Sequence, residues 1–147
     1  KFMDAEQRKN MYEIRKENQK ITTPLRLQAF ERIILYLERI SPENLILRIH
    51  KPSMSAKQLQ ANLIATIKSE FEHNMAQQIY VSSTSWDIVK KVKDDIIRAI
   101  NIAADNLPPD AKAADLGQKV FEVMSKLEKS PTHAAISILK NEIRQLF

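Results

Sequence analysis

One glycine and six prolines in 147 residues leave few ways for this chain to fold. Tight hairpin turns, phosphate-cradling loops and repeated bulges need backbone conformations that glycine alone adopts cheaply, so β-barrels and most nucleotide-binding enzymes are excluded. The nucleophile elbow Gly-x-Ser-x-Gly needs two glycines and is excluded with them. The absence of cysteine removes disulfide scaffolds, Cys-ligated zinc, iron–sulfur clusters and thiol catalysis.

Proline then serves as a map, because its fixed φ and missing N–H suit the first turn of a helix and disrupt the interior. Thr23-Pro24 precedes Leu27, Phe30, Ile34, Leu37 and Ile40, whose three- and four-residue steps predict an amphipathic helix that starts at the proline. Ser41-Pro42-Glu43-Asn44 reads as an N-cap, an N1 proline and an acidic first turn for a short helix ending near His50, which Lys51-Pro52-Ser53 terminates. Ser55 caps the next segment, where Leu59, Leu63, Ile67, Phe71 and Met75 recur at four-residue steps as far as Val81-Ser82-Ser83, making this the longest predicted helix. Thr84-Ser85-Trp86-Asp87 fits a capping box for a helix carrying Trp86, Val89, Val92, Ile96, Ile100, Ala103 and Leu107. Pro108-Pro109 breaks it. Ala113, Leu116, Val120 and Leu127 mark a further helix that contains the lone Gly117, read either as a close helix contact or as a tolerated surface position. Ser130-Pro131 opens the last helix.

No segment reads as a strand. Leu, Ile, Val and Phe make up 41 of the 147 residues, enough for a core. The expectation is an all-α multi-helix bundle of about six core helices over residues 24–147, behind a basic helical stalk or tail over residues 1–23. In the first twenty residues Phe2, Met3, Ala5, Met11, Tyr12 and Ile14 are sparse among charged neighbours, so a helix there buries little and is marginal alone: it is a tail, a stalk or a segment that finds its partner in another chain.

Charge bounds the partners. The net charge of +5 is ordinary for a soluble surface and short of a clustered nucleic-acid footprint. The densest basic cluster, Lys90, Lys91, Lys93 and Arg98, is interleaved with Asp87, Asp94 and Asp95, which reads as a solvated face of ion pairs. No run approaches the roughly 18 apolar residues of a membrane span.

The runs Leu25-Arg26-Leu27-Gln28-Ala29-Phe30-Glu31-Arg32 and Leu37-Glu38-Arg39-Ile40-Ser41-Pro42-Glu43-Asn44-Leu45 resemble an uncharacterised helical family of the Bacteroidetes type. Met54-Ser55-Ala56, Glu70-Phe71-Glu72-His73-Asn74 and Gln77-Gln78-Ile79-Tyr80-Val81-Ser82 extend the resemblance, which runs from about residue 13 to the C-terminus and is strongest over 25–89. It implies a domain of unknown function that follows one N-terminal transmembrane helix. Lys1, Arg8 and Lys9 would then lie at the cytoplasmic surface of the inner membrane, the remainder being soluble. It supplies no catalytic residue.

The candidate residues are few. Glu70 and His73 form one Glu-x-x-His pair, half of the motif that ferritin-like metal sites use twice; the second copy is missing, and a surface or capping role is the simpler reading. Asn74 and Gln78 project near Ile67 and Phe71 on the apolar stripe. They are either an amide network at a dimer seam or groups satisfied by a local backbone contact. Trp86 reads as a core anchor. Arg26 and Arg32, with the basic N-terminal segment, are the candidates for nucleic-acid or anionic-lipid binding. The function expected is a membrane-tethered interaction or scaffolding module without catalysis, binding a protein partner or itself. Neither a cofactor nor a small-molecule substrate is expected.

Overall fold

The computed structural model describes residues 4–147 as six α-helices and one 3₁₀ segment, and among these residues there is no strand. The helices are α1 (Ala5–Ile40), α2 (Pro42–Ile49), α3 (Ala56–His73), α4 (Ser83–Asp105), α5 (Ala113–Ser125) and α6 (Pro131–Leu146), with the 3₁₀ segment Met75–Tyr80 between α3 and α4. The expected all-α bundle is the fold observed. Each helix contributes an apolar stripe to one core, whose fully buried side chains include Phe30, Leu37, Leu63, Ile67, Ile96, Leu116 and Leu139. Helix α4 packs against α3, α5 and α6, while α1 lies along α6, α2 and the 3₁₀ segment. Phe71 stacks on Trp86 with centroids 5.3 Å apart, and Lys93 Nζ lies over the Phe71 ring at 4.1 Å from its centroid.

Several boundaries differ from the sequence reading; Leu107 and Leu127 fall just past the ends of α4 and α5, and three differences are larger. Pro24 lies inside α1, which runs unbroken for 36 residues and is the longest helix; α3 has 18. The proline removes one i→i−4 hydrogen bond, to the Lys20 carbonyl, and follows the β-branched Ile21-Thr22-Thr23, but the buried residues Phe30, Ile33 and Leu37 hold the following turns and the helix runs through. The far end is closed by a capping box in which Asp4 Oδ1 accepts from Gln7 N at 2.7 Å and Gln7 Oε1 from Asp4 N at 3.2 Å. Lys1, the first residue of the expected stalk, lies outside the described residues.

Helix α3 stops at His73, so Met75 is exposed and the stripe does not continue to Gln78. Helix α4 starts two residues earlier than a Thr84 cap requires: Ser82 Oγ accepts from Ser85 N at 3.1 Å, and Asp87 pairs instead with Lys90 at 3.4 Å. The Glu142 carboxylate of α6 reaches this same helix N-terminus. It accepts from Ser82 N and from Ser85 Oγ, each at 3.3 Å, which places a negative charge where the helix dipole is positive.

Two short-range devices fix the corners. Ser41 alone separates α1 from α2, and its hydroxyl donates back to the Glu38 carbonyl at 2.8 Å, closing α1 rather than capping α2 as expected. Ala56 N donates to Ala111 O at 2.9 Å and Ala113 N to Met54 O at 3.1 Å, a single β-bridge step that ties the starts of α3 and α5 together. Gly117 is buried where α5 meets α2, and a Cβ built there would touch only Ile46 Cγ2 at 3.6 Å. No helix among the described residues is long and apolar enough to cross a membrane.

Candidate functional site: an arginine cleft and an exposed helical arm

The second half of α1 passes the C-terminal turns of α3, and between them lies a half-open cleft of about 410 Å³. Arg32, Leu35, Tyr36 and Arg39 recur at helical spacing on one side; Glu70, His73 and Asn74 close the other. Four residues singled out from the sequence, Arg32, Glu70, His73 and Asn74, thus meet in one place.

Glu70 is the organising group. Its Oε1 accepts from Arg39 Nε at 2.7 Å and Nη2 at 2.6 Å, and its Oε2 from Arg48 Nη2 at 3.2 Å. Arg48 Nη2 also donates to the Arg39 carbonyl at 3.0 Å, so α2 is clamped to both α1 and α3. The Glu70 side chain is only 20% exposed, which strengthens these charge-assisted bonds relative to a surface pair. Asn74 is the C-cap of α3. Its amide Nδ2 donates to the Glu70 carbonyl at 2.8 Å and its Oδ1 accepts from Arg32 Nε at 3.4 Å.

Beneath them Tyr36 donates its buried hydroxyl to the Ile67 carbonyl at 3.1 Å. Burial holds its pKa well above the usual phenol value of 10.0, with the negative charges of Glu70 and Asp94 adding to the effect.

The arrangement offers little to a metal. Both Glu70 oxygens are committed to guanidinium groups, and among the described residues no group of three His, Cys, Asp or Glu could hold an ion. It offers more to an anion: the cleft is lined by two guanidinium groups, Arg32 and Arg39, and the His73 imidazole against the single carboxylate of Glu70, which also holds Arg48 from outside the cleft.

The remaining candidates lie elsewhere. Arg26 donates to the Tyr80 carbonyl at 3.5 Å and stands 5.9 Å from the Phe147 ring centroid, fastening the 3₁₀ segment and the end of α6 to α1. Gln78 is exposed on the 3₁₀ segment, not on the apolar stripe of α3. In the basic cluster of α4 every cation has an acid partner: Lys90 with Asp87, Lys91 and Arg98 with Asp95, and Lys93 with Asp94.

The second surface lies on the N-terminal segment, expected from the sequence to be a tail, a stalk or a segment that finds its partner in another chain. Every residue from 4 to 22 is exposed, so the first half of α1 projects from the bundle as an arm about 27 Å long at 1.5 Å per residue. Along it Met11, Ile14, Asn18, Ile21 and Leu25 follow steps of three and four, the seam of a coiled coil. The apolar members are 38%, 59%, 67% and 42% exposed. Reading Pro24 as a helix start separated Ile21 from Leu25 and hid this spacing. Charges flank the seam without dominating it: Arg8, Lys9, Arg15, Lys16 and Lys20 alternate with Glu6, Glu13 and Glu17.

Against known proteins, the model of a family of unknown function matches residues 1–146. No curated protein and no solved structure matches the chain.

Proposed function

The chain belongs to that family of unknown function (DUF7935), and we propose that it is a non-catalytic interaction module that pairs with a second copy of itself through the N-terminal arm of α1. The exposed seam Met11, Ile14, Asn18, Ile21 and Leu25 carries the reading. An isolated solvated helix of this length is marginal in water, and burying an apolar stripe against a partner helix supplies what it lacks.

Asn18 falls at the first position of a heptad that begins at Met11, counted as position a. A buried asparagine there prefers its own counterpart in a parallel two-stranded pair and selects register at some cost in stability. Four apolar anchors, each removing about 60–120 Å² from water at the usual transfer coefficient, give an interface at the small end of specific ones. The expected pair is therefore reversible and concentration-dependent.

Parallel pairing also supports the membrane tether that the resemblance implies. It brings both N-termini to one end, as two anchors in one bilayer require, and the inner membrane's cytoplasmic face belongs to the same proposal.

Because the chain has no cysteine, Asn18→Cys gives a single reporter. Under mild oxidation the parallel pair crosslinks Asn18→Cys quantitatively, and Lys16→Cys, on the outer face of the same helix, does not crosslink. Equal crosslinking of the two, or none of either, would contradict the reading.

A further inference from the structure

We propose that the arginine cleft between α1 and α3 binds an acidic segment of a partner protein, taking a carboxylate on Arg32 and Arg39 and a neighbouring apolar side chain on Leu35. Charge complementarity carries the argument. Arg39 and Arg48 share the one carboxylate of Glu70, while Arg32 makes no ion pair and touches only the neutral Asn74 Oδ1 at 3.4 Å. Arg39 turns Nε and Nη2 to Glu70 and leaves Nη1 without a protein partner. The cleft therefore holds a positive excess, with guanidinium groups whose planar forks suit a carboxylate.

Glu70 pre-organises Arg39, so a ligand does not bear the full cost of ordering that side chain.

Leu35 decides the kind of acid. It stands between Arg32 and Arg39 on the same helix face, is 58% exposed, and gives the cleft an apolar wall. A phosphate backbone calls for cations spread along a track. Here two of them line one cleft on either side of a leucine, the pairing of a buried apolar anchor with arginine that protein interfaces favour. The site is separate from the arm seam, and its occupancy does not depend on arm pairing.

The probe is a fluorescein-labelled short peptide alternating aspartate and leucine, followed by fluorescence anisotropy on the full chain. Saturable binding that weakens with salt is expected. Arg32→Ala should weaken it by about tenfold or more, the loss of one charge-assisted hydrogen bond. Because Arg32 is exposed and holds no ion pair, the thermal melt should not move, so a loss of binding is not a loss of fold. Leu35→Ser should weaken the aspartate–leucine peptide towards the affinity of an aspartate–serine control. Ile21→Glu, which abolishes the arm seam, should leave peptide binding unchanged, so failure here and failure of arm pairing are told apart. Equal binding of an asparagine–leucine peptide, indifference to Arg32→Ala, or inorganic phosphate bound as tightly as the peptide would each overturn the proposal.

Discussion

Arg39 closes on Glu70 with two nitrogens on one oxygen, Nε at 2.7 Å and Nη2 at 2.6 Å from Oε1, across a sequence separation of 31 residues. The other carboxylate oxygen holds Arg48 at 3.2 Å, so one acid fastens α1, α2 and α3 together. Removing it leaves two guanidinium groups facing each other uncompensated. Glu70→Ala is expected to lower unfolding free energy by about 1–3 kcal/mol, read as a shifted urea midpoint with unchanged slope. A double-mutant cycle with Arg39→Ala should return a coupling of at least about 0.5 kcal/mol; strict additivity would show the pair to be energetically idle.

Gly117 sits mid-helix, where glycine costs conformational entropy, and the space for a methyl group is already there: only Ile46 Cγ2 lies within reach, at an ordinary contact distance of 3.6 Å. Gly117→Ala should therefore stabilise the bundle by about 0.5–1 kcal/mol. A lower urea midpoint would show the α2–α5 contact to be tighter than this geometry.

Tyr36 gives the chain an alkaline limit. Its folded-state pKa lies above the ordinary value of 10.0, so folding favours the neutral phenol. The stability this contributes is complete below the unfolded pKa and is lost as pH rises from about 10 towards the folded pKa. Tyr36→Phe removes the hydrogen bond to the Ile67 carbonyl, at a cost of about 1 kcal/mol at neutral pH. Denaturation series at pH 8, 10 and 11 should show the gap between the two proteins narrowing above pH 10. A constant gap would contradict the assignment.

Pro24 weakens the arm at its base by removing the amide that would bond the Lys20 carbonyl. Pro24→Ala restores that bond, and amide exchange over residues 8–22 should slow while exchange in α4 stays the same. Unchanged exchange in the arm would mean that the proline does not limit the helix.

What the sequence reveals and what it hides follow from the range of the interactions. Pro42 and Pro131 stand at N1, and Ser55 caps α3 with Gln58, because caps are settled within four residues. Pro24 misleads because a proline's cost is local, whereas Phe30, Ile33 and Leu37 anchor the following half of α1 in the core and the helix propagates from there. Met75 continues the four-residue rhythm of Phe71 on paper, but the side chain of Asn74 before it turns back to the Glu70 carbonyl and the helix ends. The cleft is invisible to any local reading, since Arg39 and Arg48 reach Glu70 from 31 and 22 positions away.

Sedimentation equilibrium of the chain reads self-pairing through the arm without a label or a substitution. A reversible monomer–dimer equilibrium is expected, with Ile21→Glu held as a monomer and the melting temperature of the bundle unchanged. A chain that stays monomeric at every concentration, or a dimer that survives Ile21→Glu, would contradict it.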